Sequence, residues 1–277
     1  MATSNTPATP ATPVHLFDLL SALPQPLTTW SSNTIKIHLV INYKQIPYTY
    51  SYTTYADIAP LLSSLGVAPH APETTNPAPY TLPAIAHASL TTETNSHGAL
   101  MDSLPIALHL ERAFPDTKTV FPNGDASAQL ATRVQDLLRG VAVAGIGLIL
   151  RNTIDILDPR GKEYFTKLWE AKLGKSADEM APKSESELGD VLEAMGAAMR
   201  PVVELLRETE GVFFEGHEPG FADFVLVGSL VWFRRIDREG RLWGAVVGEE
   251  ARRLWEGCEH LLDKRGEERA WAGDPVE

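Results

Sequence analysis

Residues 80–86 read Tyr-Thr-Leu-Pro-Ala-Ile-Ala. The run is apolar, yet it carries Pro83, which has no N–H to give a central ladder. Either a strand begins after Pro83, or the Leu82–Pro83 bond is unusual. X–Pro bonds are cis in only about 5–6% of folded cases, so the local sequence alone favours a trans proline at a strand start. A cis bond would instead turn the Leu82 backbone outward. Its N–H and C=O would then be free to pair antiparallel with the backbone of a bound peptide.

Downstream, Ser89–Thr94 is expected as the partner strand and Asn-Ser-His-Gly at 95–98 as a turn. Met101-Asp102-Ser103 opens a helix that runs to about Phe114 and stops at Pro115. A helix start offers free N–H groups and the positive end of the dipole. Ser103 there suits a ligand carboxylate, helped by its own N–H, and Asp102 suits a ligand ammonium. Together they fit an α-amino acid. Simple helix capping by the same pair is the plain alternative.

Upstream, Val14–Leu19 reads as a strand, and Pro24 and Pro26 break the chain after it. Trp30-Ser31-Ser32-Asn33 leads into Thr34–Asn42. The β-branched residues of that run suit a strand. The Ser and Asn before it are N-cap types, and Asn42-Tyr-Lys-Gln-Ile-Pro47 looks like an exit turn, which favours a helix. A serine hydroxyl at this start can donate to a thiolate, and helix-terminal N–H groups lower thiol pKa values below the free ~8.5. Capping is again the plain alternative. Tyr48–Tyr55 alternates aromatic and small polar residues, as a strand does. Asp57–Leu65 reads as a short helix stopped by Gly66, and residues 67–79, with four prolines, as a loop. The order is β-α-β-α-β-β-α.

Beyond Asn123-Gly124 the texture changes. Ala126–Leu157 reads as one long helix, and Tyr164–Leu173, Ser186–Glu208, Phe221–Ile236 and Glu249–Lys264 as further helices, with Glu239-Gly-Arg241 as a turn. A mixed α/β block followed by an all-α block makes two domains. We expect a disordered leader over 1–13, the α/β domain over 14–116, the all-helical domain over 125–265 and a tail over 266–277.

Of the 277 residues 44% are hydrophobic and 22% charged, enough apolar material to bury a core. The formal charge of −12 repels phosphate backbones and argues against nucleic-acid binding as the main role. The single cysteine, Cys258, excludes an intramolecular disulfide and reads as a small buried residue. No apolar run reaches the roughly 20 residues of a membrane span. The first residues lack the basic and apolar regions of a secretory signal, so the cytoplasm is the expected location. The histidines show no ligand-like spacing, and no metal site is expected. No histidine or carboxylate is placed to make a serine nucleophile, so a Ser-His-Asp hydrolase is not proposed. Gly140, Gly145 and Gly147 either leave room for a substrate or allow close helix packing.

In combination these segments resemble the glutathione transferases, and within them the fungal etherase-related class. The resemblance rests on Ser31-Ser32-Asn33, Asn42-Tyr43-Lys44-Gln45-Ile46-Pro47-Tyr48 after a lysine-bearing first helix, Tyr55–Ile58, Tyr80–Ile85, Asp102-Ser103, Gly220-Phe-Ala-Asp-Phe224 and Trp232–Arg235, and it spans about residues 14 to 262. Ser32 stands where the class has proline, and Gly220 where it has Ser or Thr.

The resemblance implies a thioredoxin-like glutathione-binding domain followed by a helical-bundle domain that helps bind a second, apolar or aromatic substrate. It implies glutathione as co-substrate, with Ser31 or Ser32, and Asn33, at the sulfur, and with Leu82, Pro83, Asp102 and Ser103 holding the peptide. The second substrate is expected against the long helix and the penultimate core helix, at Leu138, Val141, Gly145 and Trp232. Conjugation, aryl-ether cleavage and double-bond isomerisation all remain open, as does a non-catalytic carrier. Dimers are frequent in the family. A thioredoxin-like redox enzyme would need a thiol near the first helix, and the chain has none there.

Overall fold

All six residues of β1 (Val14–Leu19) are buried, so this strand lies inside a sheet and not at its edge. The structure, a computed structural model, describes residues 13–71, 78–237, 239–263 and 266–272. The expected leader, up to residue 12, and the middle of the proline-rich loop, 72–77, lie outside the described residues.

β1 pairs in parallel with β2 (Tyr48–Thr53), placing Leu16 opposite Tyr50. On its other side it pairs antiparallel with β3 (Ala84–Ala86), Leu16 opposite Ile85. Between β1 and β2 runs α1 (Ser32–Lys44), a helix despite its β-branched content. Nearly all of α1 is buried on every side, and such a helix shows little amphipathic period to read. A short helix, α2 (Ile58–Ser64), follows β2. The outer partner of β3 is β4 (Ala99–Met101), not the expected Ser89–Thr94. Residues 88–90 instead form a single 3-10 turn. The Asn95 side chain both donates to and accepts from the Ala99 backbone, at 2.8 Å each, and so sets the start of β4. α3 (Ser103–Ala113) closes this half.

The expected single helix over 126–157 is two: α4 (Asp125–Ala144) and α5 (Ile146–Ile156), bent by 89° at Gly145. The cause is tertiary. A Cβ on Gly145 would overlap the side chain of Met195, and one on Gly147 the carbonyl of Met180. Close packing therefore accounts for both glycines. Then come α6 (Pro159–Leu173), α7 (Ala177–Met180), α8 (Glu185–Leu206), α9 (Phe221–Ile236), α10 (Arg241–Val246) and α11 (Glu249–Cys258). Gly240 makes the expected turn, at φ +72°, but it starts α10. The core helix α9 packs on α1 and on α4, and so joins the two halves. Cys258 is buried at the end of α11. Among the described residues no single helix is long and apolar enough to cross a membrane.

The last described residues return to the sheet, although a tail was expected. β5 (Glu267–Glu268) adds in parallel to β2, giving the strand order β4-β3-β1-β2-β5.

Candidate active site

Ser31 is the N-cap of α1. Its backbone is extended, its C=O accepts from Ile35 N–H at 2.9 Å, and its hydroxyl makes no capping bond. Ser31 lines a recess of about 130 Å³, whose walls also include Asn33, Tyr55, Leu82, Asp102, Tyr164 and Leu168. Ser32 is not in that wall. Its C=O faces Gly228 of α9, where an added Cβ would stand 2.5 Å away.

The Leu82–Pro83 bond is cis, contrary to the reading that local sequence favours. Gln25–Pro26 is cis as well. β3 begins one residue after Pro83, at Ala84. Among the described residues neither the N–H nor the C=O of Leu82 has a backbone partner. This is the free peptide edge that a cis bond, the less favoured reading, would give.

Asp102 sits at φ +84°, a backbone region that L side chains seldom occupy. Its N–H donates to Pro83 C=O at 3.1 Å, which ties the start of α3 to the Leu82–Pro83 turn. Its Oδ1 accepts from Ser103 N–H at 2.8 Å. The Ser103 N–H, expected to help hold a ligand carboxylate, is thus engaged by the cap. Ser103, whose hydroxyl has no partner among the described residues, lines with Asp102 and Asn33 a second groove of about 380 Å³. Asn33 and Asp102 belong to both walls, so recess and groove flank the same pair.

Behind that pair lies Lys36, only 1% exposed. Its ammonium donates to Asn33 Oδ1 at 2.7 Å and to Gln135 Oε1 of α4. Burial pushes its pKa down to about 7; Asp102 pulls it back up and Arg139 pushes it further down.

The residues expected to hold a second substrate fall elsewhere. Leu138 and Val141 are buried on the inner stripe of α4, with Ala131 and Val134. Gly145 is filled by Met195. Trp232 is half-buried on α9, stacked on Phe233 at 5.3 Å. None of the four lines the recess or the groove. The apolar wall comes instead from Tyr55, in the 3-10 turn after β2, and from Tyr164 and Leu168 of α6. Tyr164 and Leu168 were legible only as ordinary positions of one amphipathic helix. Nothing in the sequence says which turn of the other half they meet. A larger hollow of about 810 Å³ beside α9 and α11 contains none of the residues expected from the sequence. No group of three or more His, Cys, Asp or Glu placed to hold a metal occurs among the described residues.

A thioredoxin-like sheet with a cis-proline edge, joined to a helical domain across a recess, defines the glutathione transferase architecture. Residues 130–261 match the family described as glutathione S-transferase, C-terminal domain. The chain belongs to the glutathione S-transferase family: over 272 residues it is 42% identical to the glutathione S-transferase-like protein ustS of Aspergillus flavus, covering 95% of this chain and 96% of that protein. Among solved structures it is similar to a glutathione S-transferase of Ceriporiopsis subvermispora in complex with glutathione, with a TM-score of 0.76 and 24% identity over 90% of this chain and 97% of that one. It is similar too to glutathione transferase GSTFuA3 of Phanerochaete chrysosporium, with a TM-score of 0.72 and 24% identity over 90% and 96%. At that identity these two bear on fold alone.

Proposed function

We propose that the protein is an enzyme that activates the thiol of glutathione for attack on an apolar or aromatic small molecule. The observation that carries this reading is the convergence of Ser31 and Asn33, Leu82, and Asp102, from three separate segments, on one recess. Glutathione would pair with the free backbone groups of Leu82. Its α-amino acid end would rest at Asp102 and Ser103, the ammonium on the Asp102 carboxylate and the carboxylate on the Ser103 hydroxyl. Its sulfur would then lie at Ser31, which donates to the thiolate.

Thiol ionisation sends the proton to solvent. The thiolate forms a bond from sulfur to an electrophilic carbon of the substrate, and the leaving group departs with the electron pair. With an aryl ether the leaving group is an aryloxide, the outcome that likeness to the etherase-related class favours. A shift of one unit in the thiol pKa needs about 1.4 kcal/mol, within reach of one or two hydrogen bonds to a charged sulfur. Tyr55, Tyr164 and Leu168 would supply the apolar wall for the second substrate. Leu138, Val141, Gly145 and Trp232 have no part in that wall.

Calorimetric titration with glutathione tests the reading, repeated on the double variant Asp102→Asn, Ser103→Ala. Asn is chosen because it tolerates positive φ better than Ala and keeps an oxygen for the Ser103 N–H. We expect wild-type binding in the micromolar to millimolar range and its loss in the variant. No binding to the wild type would remove the co-substrate. Retained binding in the variant would remove the assigned site. Tight retention of an apolar ligand with no turnover would make the protein a carrier.

A further inference from the structure

Lys36 presents a problem that the proposed site does not absorb. A charged ammonium is costly to bury unless it is paired, and Lys36 is 1% exposed. No carboxylate lies within ion-pair distance of it among the described residues. Its two hydrogen-bond partners are both neutral side-chain amides, Asn33 Oδ1 at 2.7 Å and Gln135 Oε1. The position is built to keep it there. α9 carries Gly228 opposite, where an added Cβ would stand 3.2 Å from Lys36 Cγ and 2.5 Å from the Ser32 carbonyl.

The choice of partners has a geometric consequence. An ammonium has three donors and no acceptor. It therefore holds the oxygen end of the Asn33 amide and turns the NH₂ end away. Asn33 is exposed and lines both the recess and the groove. Its Nδ2 has no partner among the described residues. We infer that Lys36 is a positioning residue: by holding Asn33 Oδ1 it points Asn33 Nδ2 at the sulfur of bound glutathione, as a second donor beside the Ser31 hydroxyl. The inference rests on the proposed glutathione site.

The ammonium also polarises that amide, since a hydrogen bond to a charged donor is about twice as strong as a neutral one. The charged groups that face Lys36 are Asp102 from the start of α3 and Arg139 and Asp136 from α4. From α9, Phe221 and Val225 line the same groove and Gly228 lies against the Lys36 side chain, and none is charged. Burial brings the Lys36 pKa down to about 7. A nearby thiolate favours the charged form, so the two ionisations support each other. A neutral amine accepts as well as donates and no longer fixes which end of the amide faces the recess.

The experiment is the pH titration of the ultraviolet thiolate absorbance of bound glutathione, in the wild type and in Lys36→Met, Gln135→Glu and Asn33→Ala. We expect Lys36→Met to raise the bound thiol pKa by about one unit, a tenfold loss of thiolate at a pH below it. The double variant Lys36→Met, Asn33→Ala should be no worse than Asn33→Ala alone, because the two residues act as one unit. Gln135→Glu leaves the core untouched and gives the ammonium a carboxylate that draws it off Asn33. It should raise the thiol pKa in the same direction, and it carries the test if Lys36→Met does not fold. A Gln135→Glu protein that titrates as the wild type overturns the inference, as does a folded Lys36→Met that does so. Simple addition of the Lys36 and Asn33 effects also overturns it while leaving the glutathione site intact. A wild type with no glutathione-dependent thiolate signal overturns both.

Discussion

The ring of Tyr55 stacks on the ring of Tyr164, with centroids 6.2 Å apart and planes 11° from parallel. The pair ties the turn after β2 to α6. Two polar contacts flank it. Thr54 Oγ1 donates to Asp158, the N-cap of α6, at 3.0 Å, and Arg160 forks onto Asp57 at 2.7 and 2.8 Å. The Arg160–Asp57 fork is exposed and adds little, so the fixed geometry comes from the stack together with the bond from the buried Thr54 hydroxyl. The wall of the recess is thus made jointly by the two halves of the chain.

Tyr164→Ala removes one of the three residues of the apolar second-substrate wall and leaves Tyr55 and Leu168. Stacked pairs contribute about 0.5–1.5 kcal/mol beyond their buried area, so KM for an aromatic electrophile should rise about threefold to tenfold. KM for glutathione should change little, because Ser31, Leu82 and Asp102 are untouched. Steady-state kinetics with both substrates varied separates the two. A rise confined to glutathione would move the second-substrate wall away from α6.

Gly228→Ala acts from behind the site. Its Cβ would meet the Ser32 carbonyl at 2.5 Å, a contact only a backbone shift relieves, and α1 must move off α9. Overpacking of this kind costs about 1–3 kcal/mol. Because α1 carries Ser31 and Asn33, glutathione affinity should fall with stability. Gly189→Ala in α8 is the control: nothing lies within 4 Å of its Cβ, and it should gain up to about 1 kcal/mol in helix propensity. Thermal unfolding and calorimetry on both proteins decide whether the close approach or the glycine itself matters.

The parts of the site read from sequence are those whose geometry is local. Leu82–Pro83 and Asp102–Ser103 each signal within a few residues, as a proline at a strand start and a polar pair at a helix start. What was not legible depends on partners distant in the chain. The break at Gly145 answers Met195, and the short strand β4 owes its start to a side chain of the preceding turn. β5 is two glutamates, residues with no strand preference, held by the backbone edge of β2. The second-substrate residues expected on α4 showed the right apolar stripe, but that stripe faces α8 and α9, and an apolar face does not say whether it meets a ligand or a helix.

Trp271 should anchor that last strand. Its ring lies 5.0 Å from His15 and 5.2 Å from Phe17, which is fully buried. Trp271→Ala uncovers both and should cost about 1–3 kcal/mol, below the range for a fully buried tryptophan because the ring is half-buried. Chemical denaturation measures the loss. A change below about 0.5 kcal/mol, the size of an ordinary surface substitution, would mean that β5 adds nothing to the sheet.

His15 makes the fold sensitive to acid. Its Nδ1 and Nε2 meet the hydroxyls of Thr49 and Ser51 at 2.8 and 2.9 Å. Burial first, and the Arg269 charge second, push its pKa down to about 4. The unfolded chain takes the proton at ~6.5, so between these values it binds more protons than the fold. Stability contributed by neutral His15 is full above pH about 6.5 and is lost as pH falls toward about 4, by up to about 3 kcal/mol. His109, also lowered to about 4, acts in the same direction. His15→Gln should flatten the fall of the urea midpoint between pH 7 and 5. An unchanged slope would assign it to other groups.

Asp223 should show the opposite sign. Its carboxyl is fully buried, and it accepts from Gly220 N–H at 2.8 Å and Phe214 N–H at 2.9 Å. Burial outweighs those two donors and lifts its pKa to about 7. A carboxyl raised in the fold contributes stability that is fully present below the unfolded value of ~3.9 and is lost as pH rises toward about 7. Asp223→Ala leaves two buried N–H groups without an acceptor, at about 1–3 kcal/mol each, and frees the turn that sets the start of α9. Since α9 backs α1, the loss should reach glutathione affinity as well. The stability deficit of the variant should be larger at pH 5 than at pH 8. A deficit that grows toward high pH would mean that the carboxylate, held by its two donors, is the form the fold prefers.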